Sequence, residues 1–286
     1  MLSGDQHRSI FSQLYNALAP RVAVAFSSVN RDLRASTQTQ RQQLRADHEA
    51  AVQKLCYKVR LWSFKELREV KKVKWVWEGL FAADLALLGA LGSVLPALEQ
   101  LTLGEPAAGP DGVQRLAEGL GAGALPAVTK LKLAYMHVGD AGASALAAAL
   151  GRGALPRLKS LVLGTSSIGN AGLAALAPAL RRLPALEHLC LGNNPFGDEG
   201  LAALVATWWP PGAPPAGGLT KLELLNVGRT HVTDTGCAAL AAALDSGALP
   251  ALETLNLTGN PSSVAANFAV RRAGLSWCGP GFELLL

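Results

Sequence analysis

The chain has 286 residues, half of them hydrophobic, with 6% aromatic and 16% charged residues and a formal net charge of +5. A charged fraction this far below the usual quarter excludes an extended disordered chain, and the length suffices for one large domain or two small ones. The charge is unevenly placed: residues 1–78 carry 14 Lys/Arg against 7 Asp/Glu, a net of +7, whereas residues 79–286 carry 12 against 14.

The N-terminal stretch MLSGDQHRSI lacks the apolar run of a secretory signal. The four cysteines, Cys56, Cys190, Cys237 and Cys278, are each more than 40 residues apart, so none forms a C-x-x-C metal pair, and a reducing compartment is the simpler reading. Together these set the expectation of a cytoplasmic or nuclear protein. RSIFSQLYNALAP reads as a short helix with Ile10, Leu14 and Leu18 on one face. Pro20 suits the first turn of a second helix, PRVAVAFSSVNRDLRAS, with Val22, Phe26, Val29 and Leu33 as its apolar stripe. A third helix, TQTQRQQLRADHEAAVQKLCYKV, turns Leu44, Ala51, Leu55 and Val59 inward.

The basic stretch at 54–74 interleaves Tyr57, Trp62 and Phe64 with lysines. That pattern fits a hydrophobic junction between the N-terminal helices and the rest of the chain better than a nucleic-acid stacking surface, so nucleic acid is not an expected partner. The longest apolar run, Leu80 to Leu98, is interrupted by Asp84 and Pro96. A spanning helix needs about 20 apolar residues with few or no charges, so this run reads as core and no membrane association is expected.

From there a unit of about thirty residues repeats. L-x-x-L-x-L segments begin at Leu98, Val128, Leu158, Leu186, Leu222 and Leu252, and a degenerate earlier copy starts at Val70 with Val73 and Trp75 in its next two slots. The long interval between Leu186 and Leu222 holds a Trp/Pro-rich insertion at 207–218. Each unit alternates like a short strand, passes through a turn such as GDAG or GNAG, and continues with Leu at i, i+4 (Leu146 and Leu150, Leu176 and Leu180, Leu240 and Leu244) among alanines. Asp140, Asp198 and Asp234 stand at equal positions before these helices and are expected to cap them. Pro178 should kink or shorten its helix. One β–α unit cannot bury its apolar face alone, so the units must stack. The expected fold is α/β, a curved solenoid with parallel strands on the concave side and helices outside, behind an N-terminal all-α cap. The expected organisation is a helical segment at 1–66, a solenoid at 67–274, and an apolar tail at 275–286.

On these residues the repeats resemble leucine-rich repeats of the ribonuclease-inhibitor-like type. The slot eight residues after the first Leu holds Asn194 and Asn260, but Pro106, Met136, Ser166 and Thr230 elsewhere, so no continuous polar ladder is expected beneath the strands. Three helices ahead of such repeats resemble an F-box, with AVAFSSVNRDLR similar to its central helix. That resemblance implies a ubiquitin-ligase substrate adaptor, with ubiquitin-ligase components among its partners. Repeats of this type also look like those of Ran GTPase activators, which implies a regulator of a small GTPase; Arg229 and Arg152 are the loop arginines for that role.

The sequence carries no G-x-x-x-x-G-K-[ST], G-x-S-x-G or H-E-x-x-H motif. His137 and His231 occupy the same loop slot three repeats apart, which does not suit a shared metal. No cofactor, metal or catalytic residue is expected, and the chain reads as a non-enzymatic scaffold for a protein partner. The residues two, four and six after the first Leu, with the rim residue next in the chain, should line the concave face. They include Lys130, Lys132 and Tyr135, then His188 and Asn193, then Asn226 and Arg229. Tyr and Arg are residue types enriched at binding hot spots. Trp208 and Trp209, ahead of PPGAPP in the insertion, are the second candidate surface.

Overall fold

The computed structural model describes residues 3–14, 21–29, 31–133, 135–206 and 219–286. The chain opens with α1 (Gly4–Gln13), α2 (Arg21–Ser27), α3 (Arg31–Ser36), α4 (Gln38–Lys58) and α5 (Phe64–Glu69). Ser3 caps α1 through a reciprocal pair of bonds with Gln6, as expected of a Ser three residues ahead of a Gln. The single second helix expected over 20–36 is two helices, α2 and α3. The break removes the phase of its stripe: Leu33 is buried, while Val29 is 74% exposed. Phe11, Ala23 and Leu44 form a small core of their own. The second half of α4, through Val52, Leu55 and Cys56, joins the main core instead, together with Val59 just beyond its end. Lys58 ties α4 to the first repeat by a 2.5 Å ion pair with Asp84. The expected aromatic junction is not built as a cluster. Phe64 packs against the core, but Tyr57 lies on the outward face of α4 and Trp62 in the turn after it, 85% and 94% exposed.

Among the described residues, eight parallel strands come next, paired in chain order: β1 (Lys72–Val76), β2 (Gln100–Gly104), β3 (Lys130–Leu133), β4 (Ser160–Val162), β5 (His188–Cys190), β6 (Leu224–Asn226), β7 (Thr254–Asn256) and β8 (Glu283–Leu285). Between them lie α6 (Ala82–Leu91), α7 (Gly109–Gly119), α8 (Gly139–Gly151), α9 (Asn170–Leu180), α10 (Asp198–Val205), α11 (Asp234–Asp245) and α12 (Val264–Trp277). Successive helices pack on one another as the strands pair, which gives the expected solenoid of one strand layer and one helix layer. Period two puts alternate residues on the helix side of the sheet. Val73, Leu101, Leu131, Leu161, Leu189, Leu225 and Leu255 therefore share one register row and are all buried, with the partly buried Leu284 continuing it. The small residues let helices approach closely: a Cβ on Gly89 of α6 would lie 2.4 Å from the Leu116 carbonyl oxygen of α7. Pro178 sits in the last turn of α9, which ends two residues later. The run from Leu80 to Leu98 is core, and no helix among the described residues is long and apolar enough to cross a membrane. The 207–218 insertion lies outside the described residues; on either side of it β5 and β6 keep the common register. The tail folds back: Phe282 packs onto Gly274 of α12 and the next residues form β8 on the edge of β7.

The expected caps act across the repeats rather than within them. Asp140 of α8 accepts from the Gly169 N–H at the start of α9 (2.7 Å), and Asn170 accepts from Gly197 and Gly200 of the next repeat. Asp198 accepts from the N–H groups of Thr233 and Gly236 (2.8 and 3.0 Å) and from the Thr233 hydroxyl (2.6 Å). Asp234 accepts from the Ser263 N–H at 2.6 Å. A helix start leaves four N–H groups unsatisfied, so each carboxylate answers the next helix and also fixes the spacing of two units. A Cβ at Gly236 would fall 2.4 Å from Asp198 Oδ1, which explains a glycine in that turn slot. Asp198→Ala is expected to lower unfolding stability by about 1–3 kcal/mol, read from urea denaturation. The bonds from Ser263 hold the Asp234 carboxyl below the usual carboxylate range. A depressed folded-state pKa contributes stability above the unfolded value and loses it as pH falls through the folded one. In acid thermal melts, Asp234→Asn should therefore lose less stability between neutral and acidic pH than the wild type.

The polar slot beneath the strands is filled in two separate pairs. Asn194, 3% exposed, accepts from the N–H groups of Ser166 and Ile168 and donates to the carbonyls of Leu163 and Leu191. Asn260 accepts from the Thr230 N–H and hydroxyl and donates to Val227 and Leu257. At Met136 the slot is apolar and fully buried.

Candidate protein-binding face

The register puts two rows of side chains on the outer face of the sheet. One runs from Lys72 through Gln100, Lys130, Ser160, His188, Leu224 and Thr254 to Glu283; the other runs from Lys74 through Thr102, Lys132, Val162, Cys190, Asn226 and Asn256 to Leu285. Neighbouring strands are about 4.8 Å apart, so Lys72 and Lys130 begin roughly 10 Å from each other, as do Lys74 and Lys132. Among the described residues, no carboxylate lies within 4.0 Å of any of these four lysines. The other end of the face is acidic, with Glu223, Glu253 and Glu283 at or just before β6, β7 and β8. Between the two ends, Lys159 pairs with Glu187 at 2.6 Å, and that partner raises the lysine's pKa; His188 Nε2 lies 3.9 Å from Glu223. The outer rows are thus basic over β1 and β3, mixed polar and apolar from Val162 and Cys190 to Leu224, and acidic at Glu283, with Glu223 and Glu253 one residue before their strands.

A rim of strained residues borders it. Trp77, Tyr135, Thr165, Asn193 and Arg229 all adopt positive φ, between 53° and 62°. Such a conformation costs a non-glycine residue roughly 1–2 kcal/mol. Here it is held by the sheet's own ladder: the N–H groups of Trp77, Thr165, Asn193 and Arg229 donate to Gly104, Gly192, Gly228 and Thr258 in the following repeats. The strain sets the rim side chains outward, where Trp77 and Tyr135 are 71% and 55% exposed.

The structure places Lys130, Lys132 and His188 on this face and Tyr135, Asn193 and Arg229 along its rim. Asn226 lies in the same row, but its Oδ1 accepts from the Gly228 N–H and packs at Gly192, so its polar end is committed to its own turn. Trp208 and Trp209 lie outside the described residues. Lys72, Lys74 and Trp77 are absent from the sequence reading of this face, although counting two, four and seven from Val70 gives all three. Their repeat is degenerate, and only Val73 and Trp75 mark its strand. Burial pushes the Cys190 thiol up in pKa, with Lys130 and Lys132 opposing, so the sulfur stays protonated rather than nucleophilic. His137 and His231 sit on exposed loops, against the Ser167 hydroxyl (3.5 Å) and the Pro195 carbonyl (3.2 Å) respectively. Arg152 donates to the carbonyls of Ala117 and Leu120 at the end of α7, so its guanidinium is spent on a helix C-terminus.

The family described as Leucine Rich repeat matches residues 183–205 and 218–241. These segments hold β5 with α10 and β6 with most of α11. No curated protein matches the chain. Among solved structures it is similar to the leiomodin-1 actin-binding site 2, at 17% identity over 46% of this chain and 70% of that one, with a TM-score of 0.36. It is similar to a protein from Bacteroides fragilis at 16% identity over 79% and 68% of the two chains (TM-score 0.39). It is also similar to an internalin from Listeria monocytogenes at 18% identity over 68% and 63% (TM-score 0.26).

Proposed function

We propose that this chain is a non-enzymatic scaffold that binds a protein partner across the outer strand face, with Lys130, Lys132, His188, Asn193 and Arg229 in contact and Tyr135 as an aromatic anchor. The observation that carries this reading is the lysine patch of β1 and β3 beside Trp77 and Tyr135: unpaired charge and exposed aromatic surface on a rigid sheet. Complementary charge steers encounter and selects partners, while a few large side chains supply most of the affinity. Asn226 contributes shape through its turn, and Trp208 and Trp209 remain a second contact surface in this proposal. The helical segment at 1–66, the repeats at 67–274 and the tail at 275–286 are the units of this organisation.

The finer reading is a ubiquitin-ligase substrate adaptor in the cytoplasm or nucleus, with ribonuclease-inhibitor-like repeats receiving the substrate and an F-box-like N-terminal segment engaging the ligase. The separate small core of Phe11, Ala23 and Leu44 favours a distinct helical module there. Activation of a small GTPase is the alternative; with Arg152 engaged at α7, it rests on Arg229.

Full-length protein immobilised as bait tests the scaffold reading. Proteins captured from cell extract should be lost from a Tyr135→Ala/Arg229→Ala variant that melts at the wild-type temperature. An identical captured set from both baits would exclude the face. The cullin-linking adaptor in the captured set would support the adaptor reading, and stimulated GTP hydrolysis the alternative.

A further inference from the structure

A second charged feature lies away from the strand face, on the N-terminal helices. Residues 3–53 contain six arginines and no lysine. Four of them, Arg31 and Arg34 on α3 and Arg41 and Arg45 on α4, line a single open groove of about 460 Å³ together with Gln38 and Gln42. Ala35 is its one apolar lining residue. The spacing brings like charges together: Arg31 and Arg34 are i, i+3, and Arg41 and Arg45 are i, i+4, so each pair sits about 5–6 Å apart on its own helix. Such pairs weaken a helix rather than support it. Among the described residues, no carboxylate lies within ion-pair distance of any of the four, and Asp47 is engaged by the Gln43 amide. The core that holds these helices together, around Phe11, Ala23 and Leu44, explains their packing but not the charge.

We propose that this groove is a binding site for a compact anion carrying several phosphate groups. Four arginines lining one opening match a ligand that concentrates acceptor oxygens and negative charge in a small volume, and a guanidinium fork can hold a phosphate through two parallel bonds. Gln38 and Gln42 add amide donors for the remaining oxygens. No aromatic ring is among the lining residues to stack a nucleobase, and apart from Ala35 the apolar surface is the stems of the arginines and glutamines, so recognition is of the phosphates themselves. Their source is either a soluble polyphosphate or a multiply phosphorylated lipid headgroup. This site does not depend on the scaffold reading of the strand face.

Calorimetric titration of the full chain with inorganic tripolyphosphate, at constant ionic strength, tests it. One-to-one binding is expected, together with a ligand-dependent rise in melting temperature. Orthophosphate at the same concentration should not compete. Arg34→Gln/Arg41→Gln should weaken binding at least tenfold, and Arg34→Lys/Arg41→Lys, which keeps the charge but loses the forks, should fall between. The Lys variant also serves if the Gln variant misfolds. Sedimentation with vesicles bearing a multiply phosphorylated inositol headgroup, in wild type and not in the Gln variant, would assign the lipid source; tripolyphosphate binding without sedimentation would assign the soluble one. No binding in either arm, affinity unchanged in the Gln variant, or a glutamate decapeptide competing as well as tripolyphosphate would overturn the proposal.

Discussion

Asn194→Ala is expected to destabilise the protein by about 3–5 kcal/mol. The amide serves four backbone groups at once: it accepts from Ser166 and Ile168 and donates to Leu163 and Leu191, in a slot that is 3% exposed. Alanine leaves two N–H groups and two carbonyls without that partner, and a buried unsatisfied polar group costs about 1–3 kcal/mol. Partial relaxation keeps the total below the sum. Asn260 makes the corresponding bonds to Thr230, Val227 and Leu257 but is only partly buried, so water can replace some of them. Asn260→Ala should cost less than half as much. Urea denaturation of the two variants checks the order; equal losses would contradict it.

Leu189→Ala carries the second large effect. Leu189 is fully buried in the middle of the register row, with Leu161 and Leu225 on its two sides. Truncating a buried leucine costs about 2–5 kcal/mol, because the cavity adds to the lost transfer energy. Its position matters as much as its burial. A solenoid is held by nearest-neighbour interfaces, so weakening β5 weakens its contacts on both sides and divides the array between β4 and β6. The variant should unfold in two steps, or with a lower denaturant slope than the wild type. Leu284→Ala occupies the same row at the end of the array, where the side chain is partly buried and has one neighbour, and should cost about 1 kcal/mol. A similar loss at both positions would mean that the array does not behave as a chain of neighbour contacts.

The strands and helices of the repeats were legible because both of their periods are written in one residue type. Leucine at every second position marks the strand, and leucine at i, i+4 marks the helix. The same regularity exposed the acidic turn residues as caps. It did not show that Asp198 caps the helix of the next repeat, since that depends on the separation of two stacked units and not on local spacing. The N-terminal helices were harder. Val22, Phe26, Val29 and Leu33 make a helical stripe on paper, yet α2 ends at Ser27, and Val29 lies exposed beyond it. The tail shows a related limit of local pattern: FELLL is too short to identify a strand, and only the open edge of β7 gives it a pairing partner.

The binding face divides in the same way. The repeat count alone put Lys130, Lys132 and His188 on one side of a sheet, because a period of two leaves no other choice once the leucines are buried; Asn193 and Arg229 follow the strands, and their positive φ sets them on the rim. The same count from Val70 gives Lys72, Lys74 and Trp77, but their copy of the repeat is degenerate, and the parallel register of β1 on β2 is what identifies it as a strand of the same sheet. The gathering of Arg31, Arg34, Arg41 and Arg45 around one groove is likewise absent from the linear order, since it depends on the angle at which α3 meets α4. The sequence by itself determined the repeat, its core and the direction each strand residue faces, because these follow from hydrophobic periodicity. The tertiary structure decided which distant charges become neighbours, because like charges come together only where the packing of apolar side chains holds their backbones in place.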